Sequence, residues 1–205
     1  PASAAEASLE LYPEQLGPGV WYLQGDSGMA TAANRGFMSN AGFVVGAKGI
    51  AVFDTLATPA LGEAMLRAIR QISNLPILYV ITSHYHADHF YGLQAFTGTG
   101  SQLLGHTNGQ HYLASQEAAT RLAQRREALA PWVDDQTRLV AAGRWLDFSD
   151  GQTLVLDLGD LHIELTNVSG SHSNSDITML VVERNILFAG DLFATGRLPF
   201  VAGAN

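Results

Sequence analysis

His84-Tyr85-His86-Ala87-Asp88-His89 places four potential metal ligands within six residues. The stretch follows Ile77-Leu78-Tyr79-Val80-Ile81-Thr82, an apolar run with strand character. Neutral imidazole and carboxylate both suit zinc, and catalytic zinc sites leave one position open for water. Side chains two apart on an extended segment point the same way, so His84 and His86 can share one metal. Asp88 and His89 follow after the chain turns and can serve a second metal nearby. The plain alternative is a solvated polar loop, but so dense a cluster at the end of a buried strand needs a reason to exist.

The composition narrows what such a cluster can do. The chain has 205 residues, 47% of them apolar, enough for one domain with a sizeable core. A net charge of -8 disfavours nucleic acid as a partner, because phosphate binding needs a basic surface. No apolar run reaches the ~18 residues that a membrane span needs. With no cysteine in the chain, thiolate ligands, disulfides and cysteine nucleophiles are excluded. Pro1, not Met, is the first residue, and the small residues from Pro1 to Ser8 look like the start of a mature exported chain. A periplasmic or secreted location is therefore expected, with a cytoplasmic one as the alternative.

Upstream of the motif, Val20 to Gln24, Asn40 to Val45 and Gly49 to Asp54 read as strands. Thr58-Pro59 marks a helix start, with Thr58 as N-cap and an apolar stripe at Leu61, Met65, Leu66 and Ile69. Downstream, Ser101 to Leu104 is a short apolar segment, and one long helix is expected from Asn108 to about Ala130, ended by Pro131. Its Arg121, Arg125, Arg126 and Glu127 are expected to form a solvated face. Successive strands then follow over Trp145 to Phe148, Thr153 to Leu158, Leu161 to Val168, Ile177 to Val182 and Ile186 to Ala189. This order suggests two sheets with helices outside, an α/β sandwich.

Two further places supply ligands. Ser169-Gly170-Ser171-His172-Ser173-Asn174-Ser175-Asp176 is a small polar turn between two strands, with Gly170 permitting a tight backbone that aims His172 inward. Ile186-Leu187-Phe188-Ala189-Gly190-Asp191 is a buried-type strand ending in a carboxylate. Taken singly, His172 is an exposed turn residue and Asp191 a cap; the upstream cluster makes both into ligand candidates.

With Asp54, the His84/His86/Asp88/His89 motif, His172 and Asp191 in this order, the chain resembles the metallo-β-lactamase-fold superfamily of metallohydrolases from about Val20 to Asn205. The resemblance implies a four-layer αββα sandwich in a single domain over residues 1–205, with 1–12 as a flexible leader. It implies that His84, His86 and His172 bind a first metal, that Asp88 and His89 bind a second, and that Asp191 bridges them. Asp54 resembles the carboxylate that orients the ligand loop without touching metal. The family's last histidine for the second metal has no counterpart among the fourteen residues after Asp191. The expectation is a chain lacking the C-terminal portion of its domain, or a variant with a weakened second site.

By the same resemblance the cofactor is Zn2+, one or two ions per chain, with iron as an alternative, and the enzyme is a hydrolase. Metal-activated water would attack an ester, thioester, lactone or amide in a small-molecule substrate, with Asp88 orienting the water or accepting its proton. Asp191 stands where true β-lactamases of the superfamily usually carry Cys or Ser, so lactam hydrolysis is expected only as a minor reaction. His86 in place of Glu argues against the diiron flavoprotein branch. Ser39-Asn40-Ala41-Gly42-Phe43 and the run Gly190-Asp191-Leu192-Phe193 with Leu198-Pro199 resemble glyoxalase-II-like hydrolases and those associated with sulfur-oxidation or quinoprotein systems. A mononuclear-iron sulfur dioxygenase of the same fold is the alternative activity.

The loop from Gly25 to Phe37, with Met29 and Arg35, and the turn near Trp132 are candidates for shaping the substrate pocket. A mobile flap and an ordinary polar loop are equally open there. His106 and His111 are expected as polar surface or pocket-wall residues, and His162 as a solvent-facing strand residue. Trp21, Tyr22, Trp132 and Trp145 are expected mainly in the core.

Overall fold

The computed structural model describes residues 9–194. Residues 1–8 and the Leu198-Pro199 pair lie outside the described residues. A first sheet of seven strands runs in chain order: β1 (Glu14–Gly17), β2 (Val20–Leu23), β3 (Ala41–Val45), β4 (Ile50–Phe53), β5 (Ile77–Ile81), β6 (Gln102–His106) and β7 (Arg144–Leu146). Strands β1 to β4 pair antiparallel, and β4 to β7 pair parallel. The second sheet has four antiparallel strands in the order β11-β10-β9-β8: β8 (Thr153–Asp157), β9 (His162–Asn167), β10 (Ile177–Val181) and β11 (Ile186–Phe188).

Sheet alternation sorts the core into two layers. In β4, Ile50 and Val52 face one side and Ala51 and Phe53 the other, and all four are buried, as expected of a strand covered on both faces. Helix α1 (Pro59–Ile72) lays Leu61, Met65 and Ile69 on Phe43, Val52 and Val80. Each such fully buried side chain is worth about 1.5–3 kcal/mol relative to exposure. On the opposite face, Val44, Phe53, Ile81 and Leu104 meet Ile163, Leu165, Met179 and Val181 of the second sheet. The outer face of that second sheet leaves Val155 and Leu187 about half exposed, so the described residues form three of the four expected layers: helix, sheet, sheet.

Thr58 caps α1 as expected, its buried hydroxyl accepting from Leu61 N–H at 3.2 Å, with Pro59 at the first helical position. We expect Thr58→Ala to cost about 1 kcal/mol, read as a lower urea midpoint at unchanged slope. An unchanged midpoint would mean that the cap contributes nothing.

Three expectations need correction. The long helix over Asn108 to Ala130 is two helices, α3 (Asn108–Leu113) and α4 (Gln116–Ala128). Ser115 divides them: it takes an extended backbone and its hydroxyl accepts from Ala118 N–H at 3.2 Å, the N-cap of a new helix. Within the supposed solvated face, Arg126 is engaged, donating to the carbonyls of Asp134 and Thr137. The expected leader is docked at its C-terminal end: Leu11 is buried, and Leu9 packs on the α1 core while its carbonyl accepts from Arg67. His162 faces solvent as expected and pairs with Glu183 at 2.5 Å. No helix among the described residues is long and apolar enough to cross a membrane.

Candidate metal centre

The motif residues gather at one edge of the sandwich because strand ends from both sheets point there. The parallel strands β4, β5 and β6 end in Asp54, the His84 cluster and His106; β9 ends before the His172 turn, and β11 before Asp191. The carboxyl end of a parallel sheet is where α/β folds place their ligand sites. The sheets are stitched together at this edge by Ile177 N–H donating to Ser83 C=O at 2.8 Å. Helix α2 (Ala87–Phe90) starts directly after His86 and carries Asp88 and His89.

His84, His86 and His172 place one ligand atom each within 4.8 Å of one another, and so do His84, His89 and Asp191. His86 Nδ1 lies 3.0 Å from His172 Nε2. The two oxygens of Asp191 point to different histidines, Oδ1 to His89 Nε2 at 3.2 Å and Oδ2 to His172 Nε2 at 3.7 Å. Asp88 Oδ2 stands 3.5 Å from His89 Nε2, outside both triads. All six predicted ligands are thus brought to one place, with Asp191 between the two groups of histidines.

Asp54 sets the direction of the ligand nitrogens. It is buried, and its Oδ1 accepts from Ser83 N–H at 2.7 Å. Its Oδ2 accepts from the Ser83 hydroxyl at 2.7 Å and faces His89 Nδ1 at 2.8 Å. Since the Ser83 proton goes to Asp54, Ser83 Oγ can only accept from His84 Nδ1, 2.9 Å away. His84 and neutral His89 therefore both carry their proton on Nδ1 and turn a bare Nε2 into the centre. Both Nε2 atoms are buried, and with the rings neutral neither has a donor to accept from among the described residues; Asp191 Oδ1, 3.2 Å from His89 Nε2, is itself an acceptor. A buried polar atom without a partner costs about 1–3 kcal/mol, and a metal ion relieves that cost. The donor set of imidazoles and carboxylates fits a cation such as zinc or iron.

Electrostatics make the same demand. Burial, with the neighbouring histidines, holds His84 well below its usual pKa and His86 at about 4, so both are neutral ligands at pH 7. Burial also opposes charge on His89, but the Asp54, Asp88 and Asp191 carboxylates outweigh it and raise its pKa well above the usual value. Asp191 is driven low, against its own burial, by His89, His84 and His172. The metal-free pocket thus keeps a proton on His89 where a metal would put its charge. We expect zinc uptake to release that proton, and affinity to rise with pH until the raised His89 pKa is passed. Titration calorimetry in buffers of different ionisation enthalpy measures the release; buffer-independent heats would contradict it.

Several supporting residues escaped the sequence. Ser39 holds the Asp88 carbonyl through its hydroxyl. Asp176 ties the His172 turn, accepting from His172 N–H at 2.8 Å and Ser173 N–H at 2.7 Å. Its place three residues after Ser173 in a Ser/Asn-rich turn was the available signal. Tyr85 points into space left by two glycines: a Cβ on Gly105 would lie 2.4 Å from its hydroxyl oxygen, and one on Gly109 2.1 Å from its ring. Of the two histidines expected at the surface or in a pocket wall, His106 is buried and His111 is exposed. The Gly25 to Phe37 loop is closed on itself by Asn34, whose side chain bonds Thr31, Gly36 and Met29 backbone atoms. Trp132 fastens it, donating from Nε1 to Ala32 C=O at 2.9 Å beneath the Arg35 guanidinium.

The family model of the metallo-beta-lactamase superfamily matches residues 34–203. The chain belongs to that superfamily. Among solved structures, a metallo-beta-lactamase from Hirschia baltica is similar at 20% identity and a TM-score of 0.67, covering 96% of this chain and 80% of its own. Pisa1, an inverting sec-alkylsulfatase from Pseudomonas sp., gives 18% and 0.61 over 84% of this chain. This superfamily chain spans only 30% of the alkylsulfatase's length. MEM-A1, a subclass B3 metallo-beta-lactamase from a soil metagenome library, gives 16% and 0.56, with 85% of this chain and 58% of that one covered. At these identities the likeness is one of fold. No curated protein matches the chain. Members of the metallo-beta-lactamase superfamily are metal-dependent hydrolases, and this member has a His/Asp group that can hold a metal ion.

Proposed function

We propose that this chain is a zinc-dependent hydrolase acting on an ester, thioester, lactone or amide of a small-molecule substrate. The observation that carries the proposal is the pair of buried Nε2 atoms, of His84 and neutral His89, that no donor meets among the described residues and that lie beside Asp191. In this assignment His84, His86 and His172 hold the first zinc, Asp88 and His89 contribute to a second, and Asp191 serves both. Zinc, when bound, lowers the pKa of water to about 7 and polarises the scissile carbonyl. The chain's own residues do the rest. Asp88 is placed to orient water and accept its proton, its side chain 13% exposed beside His89. Asp54, through Ser83 and His89, keeps protons off the ligand nitrogens. Asp191, a third exposed, lies where the centre meets solvent and substrate. The net charge of -8 supports a small-molecule partner over a polyanion.

Elemental analysis of the freshly purified protein, paired with a panel of chromogenic esters, thioesters, lactones and lactams, tests the assignment. Zinc with ester-type turnover supports it. About one iron per chain with no hydrolysis moves the assignment to a sulfur dioxygenase, for which the same imidazole and carboxylate donors serve. Absence of both metal and turnover overturns it.

A further inference from the structure

The hydrolytic site as proposed makes no use of His106, yet this histidine is 5% exposed and bonded at both ring nitrogens. It ends β6 of the first sheet. Its Nδ1 accepts from Asn108 N–H at 3.1 Å, which fixes the remaining proton on Nε2. That Nε2–H donates to Ser169 Oγ at 3.2 Å, at the end of β9 in the other sheet. Ser169 passes its own proton on to Asn167 Oδ1, and Asn167 Nδ2 donates to Phe148 C=O at 2.5 Å. Every donor and acceptor in this chain has one consistent direction. Burial keeps His106 below its usual pKa, against the Asp147 and Asp176 carboxylates, so the neutral form that the chain of bonds requires is the one present at pH 7.

The chain of bonds passes through the start of the segment that delivers His172. Ser169 opens the turn Ser169 to Asp176, and the residue beside His106, Asn108, reaches over with its side chain to Asn174 C=O at 2.5 Å. The turn is thereby pinned at both of its flanks, by the end of β6 and by the start of α3, while Asp176 pins it from within. His172 is the one histidine of the centre contributed by the second half of the chain; His84, His86 and His89 all lie on the β5 edge. The distance between His172 and the others is therefore set by whatever fixes its turn against the first sheet.

We infer that His106 is a positioning residue for His172, holding the turn through Ser169 so that the His172 ring meets His84 and His86. This rests on the metal centre proposed above. A histidine that merely fills space would need only its shape; this one needs a donor at Nε2.

Two substitutions separate those roles. His106→Asn keeps an acceptor near the Nδ1 position and loses the donor to Ser169. His106→Gln reaches the Nε2 position and keeps that donor. Zinc affinity is measured by chelator competition for the wild type, both variants and Ser169→Ala, at a temperature where circular dichroism shows each metal-free protein folded. His106→Asn and Ser169→Ala are expected to bind zinc about 10–100-fold more weakly, the usual effect of removing a ligand's supporting partner. His106→Gln is expected within a few-fold of wild type. Equal affinity in all four proteins overturns the positioning role, and so does a His106→Gln that falls as far as His106→Asn. A wild type that takes up no zinc overturns the metal centre itself, and the inference with it.

Discussion

His86→Ala is expected to leave the chain folded and to remove hydrolysis. The two halves of this expectation come from different facts. His86 is half-buried, its pKa is held near 4 chiefly by burial, and it therefore enters the fold as a neutral ring, not as half of a buried ion pair. Its contact at 3.0 Å is with another proposed ligand, His172, and its truncation orphans no group that the fold needs buried. The catalytic side is severe. The first triad falls from three imidazoles to two. The metal's Lewis-acid contribution, several kcal/mol, corresponds to a loss of about a thousandfold or more in kcat/KM. The decisive comparison is kcat/KM on the best substrate of the panel beside the thermal melt of the metal-free proteins. Wild-type turnover at an unchanged melt would remove His86 from the site.

The gathering of the histidines and carboxylates at one edge was legible because strand ends are legible. Apolar runs such as Ile77 to Ile81 and Ile186 to Phe188 announce buried strands, and the polar residues that leave them have to sit at a sheet edge. Periodicity alone then brings His84 and His86 to one side. It does not say which nitrogen faces inward, because tautomers depend on partners distant in sequence: Asp54 reaches Ser83 and His89 across about thirty residues. The break at Ser115 was hidden for a different reason. A serine inside a helix-forming stretch is neutral until its backbone turns extended, and only then does its hydroxyl become a cap. His106 read as a polar surface or pocket-wall residue, and the choice between them was hidden because its burial comes from the second sheet closing over β6, a contact between residues 63 positions apart. Strand β1 was missed because Glu14-Gln15-Leu16-Gly17 is exposed and carries no alternation; its pairing with β2 defines it.

Asp54 carries the second large effect, and its two natural substitutions should fail in different ways. Its φ is +61°, a left-handed backbone that asparagine accepts and alanine resists. Asp54→Ala adds that strain to three orphaned donors: Ser83 N–H, Ser83 O–H and His89 Nδ1–H. Breaking one side of a buried charged network costs about 3–5 kcal/mol, so the urea midpoint should fall far enough to endanger the fold. Asp54→Asn keeps the backbone and the bond from Ser83 N–H to Oδ1, but an amide NH2 replaces the accepting Oδ2. It must donate where the carboxylate accepted, to Ser83 Oγ and to His89 Nδ1. The Ser83 hydroxyl then turns to His84 Nδ1, and both histidines shift their proton to Nε2, the atoms that face the metal centre. One amide thus reverses two tautomers at once. Zinc affinity should drop about 10–100-fold at each affected site, with a melt far closer to wild type than that of Asp54→Ala. Nitrogen-15 shifts of the two rings report the tautomers directly, and chelator competition reports the affinity. An Asp54→Asn protein with Nδ1–H rings and wild-type zinc binding would show that the ligands are oriented by their own packing and not by this carboxylate.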